Sequence, residues 1–208
     1  MTHVTEDDLD DLEFDTLRTG DHITAARRLA ELADAVSGGV SRANVLLRAG
    51  EQWQHAGEPD RAAQFYRRAV EDGGETYGDP RAYLADALFE LGHVAEARAL
   101  VSDIRADEPR DPEVYRAVSE TLYAHGDVLG AHEWSTGGVD VVLVLRDRAA
   151  GRVPAKPGAE AVDPDDVALA EDSLEALLRL RYRARMDLGR PEDDYDAMLD
   201  DLLKNADS

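Results

Sequence analysis

A glycine followed five residues later by an alanine recurs three times in this chain, as Gly57 with Ala62, Gly92 with Ala97 and Gly126 with Ala131. The glycines stand 35 and then 34 residues apart. A repeat of this length is one supersecondary unit that cannot bury its apolar face alone, so neighbouring units stack and share a continuous core. Such a stack offers extended surfaces for binding in place of a catalytic cleft.

The apolar residues around each glycine fall at helical spacing. Leu46, Ala49, Gly50 and Trp53 lead to Gly57, and Ala62, Phe65, Tyr66 and Ala69 follow it. Leu84, Ala85 and Leu88 precede Gly92, with Ala97, Leu100, Val101 and Ile104 after it; Tyr115, Val118, Ser119 and Leu122 precede Gly126, with Ala131 and Trp134 after it. Each unit therefore reads as a helical hairpin turning at its glycine. The seventh residue before each turn is small (Gly50, Ala85, Ser119), which lets the two helices of a hairpin approach closely.

On these small-residue and glycine positions the chain resembles the tetratricopeptide repeat proteins of bacterial type. The large apolar Trp53, Leu88 and Leu122 four residues before the turns, the alanines after them, Tyr66, and Pro109 at an exit carry the same likeness. The match is strongest over roughly residues 43–110; in the third unit Ser135 and Gly138 depart from the pattern. The resemblance implies an all-α fold, a right-handed superhelical solenoid of antiparallel helix hairpins, and an adaptor or scaffold function without turnover.

The expected organisation is a degenerate capping hairpin over 1–40, three repeat hairpins over 41–147, a linker over 148–163 and a C-terminal helical hairpin over 164–208. Leu9, Leu12, Gly20, Ala25, Leu29 and Leu32 suggest the first of these, although Thr16 fits it poorly. Asp79-Pro80, Asp111-Pro112 and Asp163-Pro164 each set a capping carboxylate before a proline suited to the first helical position. The run Val139–Leu145 has strand-like composition but lies where a helix should end the third hairpin; helix is preferred, since a lone strand finds no pairing partner in a helical stack. In the C-terminal pair, Tyr195, Met198, Leu199, Leu202 and Leu203 form an amphipathic face, and Asp194 and Arg185 depart from the repeat pattern.

In the family it resembles, the first helix of each hairpin lines a concave groove. The sixth residue before each turn glycine is then Glu51, Asp86 and Glu120, an acidic residue in every unit. Asn44, Gln54 and His55 join them from the first unit, Phe89 and Glu90 from the second, and Arg116 and Tyr123 from the third. Such a groove favours a partner segment bearing Lys or Arg, with aromatic cation-π contacts. Family members that grip a chaperone's C-terminal carboxylate use basic groove residues, and only Asn44 and Arg116 correspond here, so that specificity is not expected. The alternative is a solvated acidic surface, with the chain a structural subunit that self-associates or joins a larger assembly through its C-terminal helices.

Composition bounds the partners. With 45 acidic and 23 basic residues the net charge is -22, which disfavours nucleic acid and anionic membranes. There is no cysteine, which excludes disulfides and thiolate chemistry and fits a cytoplasmic protein. The N-terminal residues are acidic where a secretory leader would be basic, and no run of apolar residues is long enough to span a bilayer. The six histidines are scattered without metal-ligand spacing, and no phosphate loop, nucleophile elbow or dinucleotide fingerprint occurs, so no cofactor, metal or enzymatic activity is expected. A homo-oligomer is compatible with these features. Arg179, Arg181, Arg183 and Arg185 form a dense basic cluster on one helix, facing two sides of it. They imply either surface ion pairs or a helix laid over the acidic groove.

Overall fold

The computed structural model describes residues 2–152 and 164–206. Among them are ten helices and two short strands: β1 (Thr2–Val4), α1 (Glu6–Thr19), α2 (His22–Ala35), β2 (Val36–Gly39), α3 (Arg42–His55), α4 (Pro59–Asp72), α5 (Pro80–Glu90), α6 (Val94–Ala106), α7 (Pro112–Ala124), α8 (Val128–Ala149), α9 (Pro164–Asp187) and α10 (Asp194–Ala206). The fold is all-α, a succession of antiparallel hairpins in which each helix packs mainly on its neighbours in sequence. It divides into two compact units, residues 1–106 and 107–208.

The repeating glycines close the hairpins by one device. Gly57, Gly92 and Gly126 have φ of 73°, 77° and 81°, the left-handed region that only glycine enters without steric cost. The amide of the following residue then donates back to the carbonyl of the large residue four before the glycine: Glu58 to Trp53 at 3.0 Å, His93 to Leu88 at 2.8 Å, Asp127 to Leu122 at 2.8 Å. This satisfies carbonyls that a helix end leaves without partners. Arg190 repeats the bond to Arg185 at 3.1 Å, so the C-terminal hairpin turns in the same way despite its atypical sequence. Asp79 and Asp111 cap α5 and α7, accepting from the amides of Arg81 and Glu113, with proline at the first position of each helix.

In unit 1 the core runs through Leu29, Val45, Leu46, Leu47, Tyr66, Leu88 and Ile104, all without solvent exposure. Gly50 is the close-approach point, because a Cβ there would stand 2.3 Å from Cε1 of Tyr66. The N-terminal hairpin of α1 and α2 is flanked by a feature that helical periodicity does not suggest. β1 and β2 pair in parallel, Thr2 with Val36, His3 with Gly38 and Val4 with Gly39, and bury Val4. Gly39, at φ 87°, accepts this pairing because a side chain there would strike the Val4 carbonyl.

In unit 2, α8 is one helix through Val139–Leu145, and its β-branched residues Val139 and Val142 are fully buried. They pack with Leu174, Leu177 and Leu178 of α9 and Leu199 of α10. Gly138, the departure from the repeat pattern, lies under Tyr115 and Leu177, whose side chains a Cβ would meet at 2.7 and 2.8 Å. Most of the expected linker, residues 153–163, and with it the Asp163 cap, lies outside the described residues; its first two residues belong to α8. No helix among the described residues is long and apolar enough to cross a membrane.

Candidate functional site

The polar faces of the first helices carry the expected site residues, and each unit treats them differently. In unit 1, α3 stands between α1 and α5. Arg48 of α3, whose side chain is 12% exposed, reaches three carboxylates of α1: Glu13 at 2.6 Å, Glu6 at 2.9 Å and Asp10 at 3.3 Å. Asn44 is buried, donates to Glu6 at 3.0 Å and accepts from the backbone amide of Tyr77 at 3.4 Å. It is therefore a structural tie between α1, α3 and the loop after α4.

Further along α3, Glu51 and Gln54 are half-buried. The Tyr77 hydroxyl donates to Glu51. Gln54 is oriented by Tyr66, whose hydroxyl donates to Gln54 Oε1 at 2.8 Å; the amide nitrogen then donates to Asp86 and, at 3.1 Å, to Glu90 of α5. That network assigns which way the amide points. His55, at the exposed end of α3, meets His22 edge-on at 5.2 Å, and desolvation followed by that neighbour lowers its pKa. Phe89 is half-buried on α5.

The electrostatics follow from this crowding. Burial, opposed by the Tyr77 hydrogen bond and aided by nearby Glu13, pushes the Glu51 carboxyl up to about 7. Tyr66, fully buried, has its ionisation pushed well up by burial and then by the charges of Glu51, Asp86 and Glu90. Asp86 and Glu90 of α5 thus meet α3 at the Gln54 amide, which the Tyr66 hydroxyl orients. Around them lie three tyrosine rings, Tyr66 and Tyr83 at 5.8 Å and Tyr77 and Tyr83 at 6.1 Å. The Arg48 guanidinium lies 5.3 Å from the Tyr77 ring centroid.

In unit 2 the corresponding acids meet arginines. Arg116 of α7 bonds Glu113 at 2.6 Å and Glu120 at 2.8 Å on its own helix. Burial works to raise the Glu113 pKa, but the bonds from Arg116 and from Ser173 of α9 outweigh it and hold the carboxyl low. Tyr123 donates to Asp187 of α9 at 2.7 Å, with the Arg183 guanidinium 5.1 Å from its ring. The basic cluster divides as its spacing implies. Arg179 is exposed and pairs with Glu175, whereas Arg181 and Arg185 are 4% and 3% exposed and bind α10 carboxylates and its approach. Arg181 grips Asp193 with two bonds of 2.6 and 2.9 Å, and Arg185 meets Asp196 at 2.9 Å. Because α9 also buries Leu174, Leu177 and Leu178, it is part of the unit's core and not a strap that a ligand could lift away.

Residues 54–120 match the family model of the tetratricopeptide repeat. That stretch of the chain is tetratricopeptide repeat. The matched stretch runs from the end of α3 to α7, and includes Asp86, Phe89, Glu90, Arg116 and Glu120. No curated protein and no solved structure matches the chain. Tetratricopeptide repeats generally mediate protein–protein interaction, and the proteins they build are typically scaffolds and not enzymes.

The repeat register thus locates residues that the fold brings together in unit 1 (Asn44, Glu51, Gln54, Asp86 and Glu90) and separately in unit 2 (Arg116 with Glu120). It misses Tyr77, which reaches Glu51 from the loop between α4 and α5. That loop has no helical period, and its one signal is an aromatic residue between Gly74 and Gly78.

Proposed function

We propose that this chain is an adaptor that holds a basic segment of another protein on the acidic first-helix face of unit 1, without turnover. The meeting of Asp86 and Glu90 at the Gln54 amide, with Glu51 one turn back on the same helix, carries this reading. A Lys or Arg side chain placed there meets several carboxylates and the edge of a tyrosine cluster, the combination that favours a desolvated cation. Asn44 and Gln54 brace this face, while His55 and Phe89 border it. Arg116, Glu120 and Tyr123 form a second polar face in unit 2 whose charges are matched internally, so it adds little attraction for a cation. The net charge of -22 supports a protein partner over nucleic acid, and the absence of cysteine suits a cytoplasmic setting. Self-association through the C-terminal helices receives less support, since Leu199 and its neighbours on α10 face unit 2's own core.

The test is titration calorimetry with a twelve-residue Lys/Arg-bearing peptide and its Glu-bearing twin. The basic peptide should bind at least about tenfold more tightly, and its affinity should fall with added salt. The combined change Glu51→Gln, Asp86→Asn, Glu90→Gln should weaken it roughly tenfold, whereas Glu113→Gln with Glu120→Gln should change it less than about twofold. Equal losses in both variants would mean that overall charge, and not this face, attracts the peptide.

A further inference from the structure

The face that a helix turns away from its core is ordinarily polar. On α1 it is not. Leu9 and Thr16 point inward, 0% and 4% exposed, while Phe14 and Leu17 stand outside at 70% and 81%. At 100° per residue, Asp7, Asp10, Phe14 and Leu17 lie within about 80° of one another on the helix surface. They form a single ridge about 15 Å long, acidic in its first half and apolar in its second. Asp11 borders Phe14 one turn back, and Asp21 lies beyond Leu17 at the next helix cap. Asp7 and Asp11 are exposed, and the Asp10 side chain remains 66% exposed although it touches Arg48.

We infer that this ridge is a second interaction surface, distinct from the first-helix faces, and that its occupant is a basic amphipathic helix of a partner protein. Phe14 and Leu17 are the two most exposed large apolar side chains among the described residues, and they stand side by side on one helix face. Their i, i+3 spacing on a helix matches the ridge that a second helix accepts between its own rows of side chains. The carboxylates one and two turns before Phe14 select the partner's charge: leucine-type residues on one face, Lys or Arg along its border. A second copy of a protein already carrying -22 is repelled as a whole, and an anionic lipid surface is repelled for the same reason.

The experiment is fluorescence anisotropy with the full chain carrying Glu51→Gln, Asp86→Asn and Glu90→Gln, so that the unit 1 face takes up little of the probe, and three labelled sixteen-residue peptides. The first has leucines at helical spacing bordered by Lys and Arg, the second is its scrambled isomer, and the third replaces Lys and Arg by Glu. The first peptide should bind at least about tenfold more tightly than either control. Phe14→Gln with Leu17→Gln, which keeps good helix formers at both positions, should remove at least about nine-tenths of that affinity. Asp7→Lys with Asp11→Lys should weaken it about threefold or more at low salt, and Glu113→Gln with Glu120→Gln should leave it within about twofold. Equal binding of the scrambled peptide, or unchanged affinity in both α1 variants, overturns the inference. So does sedimentation that finds a wild-type dimer which Phe14→Gln with Leu17→Gln converts to monomer, because a second copy would then be the occupant.

Discussion

The first-helix faces of the two units start from the same repeat register and reach opposite electrostatic states. In unit 1, Glu51 takes a bond from the Tyr77 hydroxyl and burial favours its protonated form, while Asp86 and Glu90 share the Gln54 amide. In unit 2, Glu120 shares Arg116 with Glu113, and Asp193 and Asp196 each close on a buried guanidinium. Neutral donors orient a carboxylate without cancelling its charge, whereas a guanidinium does both. The same acidic position therefore supplies an attractive field in one unit and internal cohesion in the other.

The largest expected effect attacks the cohesive mode. Arg185→Met leaves Asp196, whose side chain is 11% exposed, without its cation, and should cost about 3–5 kcal/mol in denaturant unfolding. Loss should concentrate in amide exchange of α9 and α10. Adding Asp196→Leu should return much of it, since replacing both charges removes the uncompensated one; if the double variant is no better than the single, the pair is not what holds this hairpin.

A smaller effect is expected where unit 1 depends on shape. Gly50→Ala places a methyl 2.3 Å from the Tyr66 ring, forces the ring to shift and strains its bond to Gln54, at a cost of about 1–3 kcal/mol. Ser119, at the same register in unit 2, should tolerate alanine with a loss near 1 kcal/mol, the worth of its 2.6 Å bond to the Tyr115 carbonyl. Comparable losses at the two sites would erase this part of the contrast.

The smallest effect has a distinctive sign. With its pKa raised from 4.5 to about 7, Glu51 favours the folded state fully only below its unfolded value, and that contribution is lost as pH rises through 7. Glu51→Gln should thus leave stability unchanged near pH 4.5 and raise it by about 1–2 kcal/mol at pH 8, after allowance for solvent screening. Asp193 runs the other way: its bonds from Arg181 lower its pKa, so its contribution is present above the ordinary aspartate range and lost as pH falls through the folded value. Urea midpoints of both proteins across this range measure the difference, and a Glu51→Gln variant less stable at pH 8 would show that the charged form is favoured after all.

The hairpins were legible because their determinants are local. Gly57, Gly92 and Gly126 act through their own φ, and Asp79 and Asp111 cap amides two residues away. The site was legible only as a register. Placing Glu51, Asp86 and Glu120 at equivalent positions needs the repeat alone, but Glu51's partner is Tyr77, 26 residues distant in an aperiodic loop. The β1 and β2 pair was illegible for a related reason: each strand is four residues or fewer, with no alternation long enough to read, and its partner lies across a whole helical hairpin.

By itself, then, the sequence determined the repeating hairpins, their turns and the positions that share a helix face, because backbone conformation at glycine and the 3.6-residue period are properties of short segments. Only the tertiary structure decided which of those acids keep their field and which are neutralised. A carboxylate's charge state and attraction depend on burial and on donors brought from distant parts of the chain, and no spacing in one dimension encodes either.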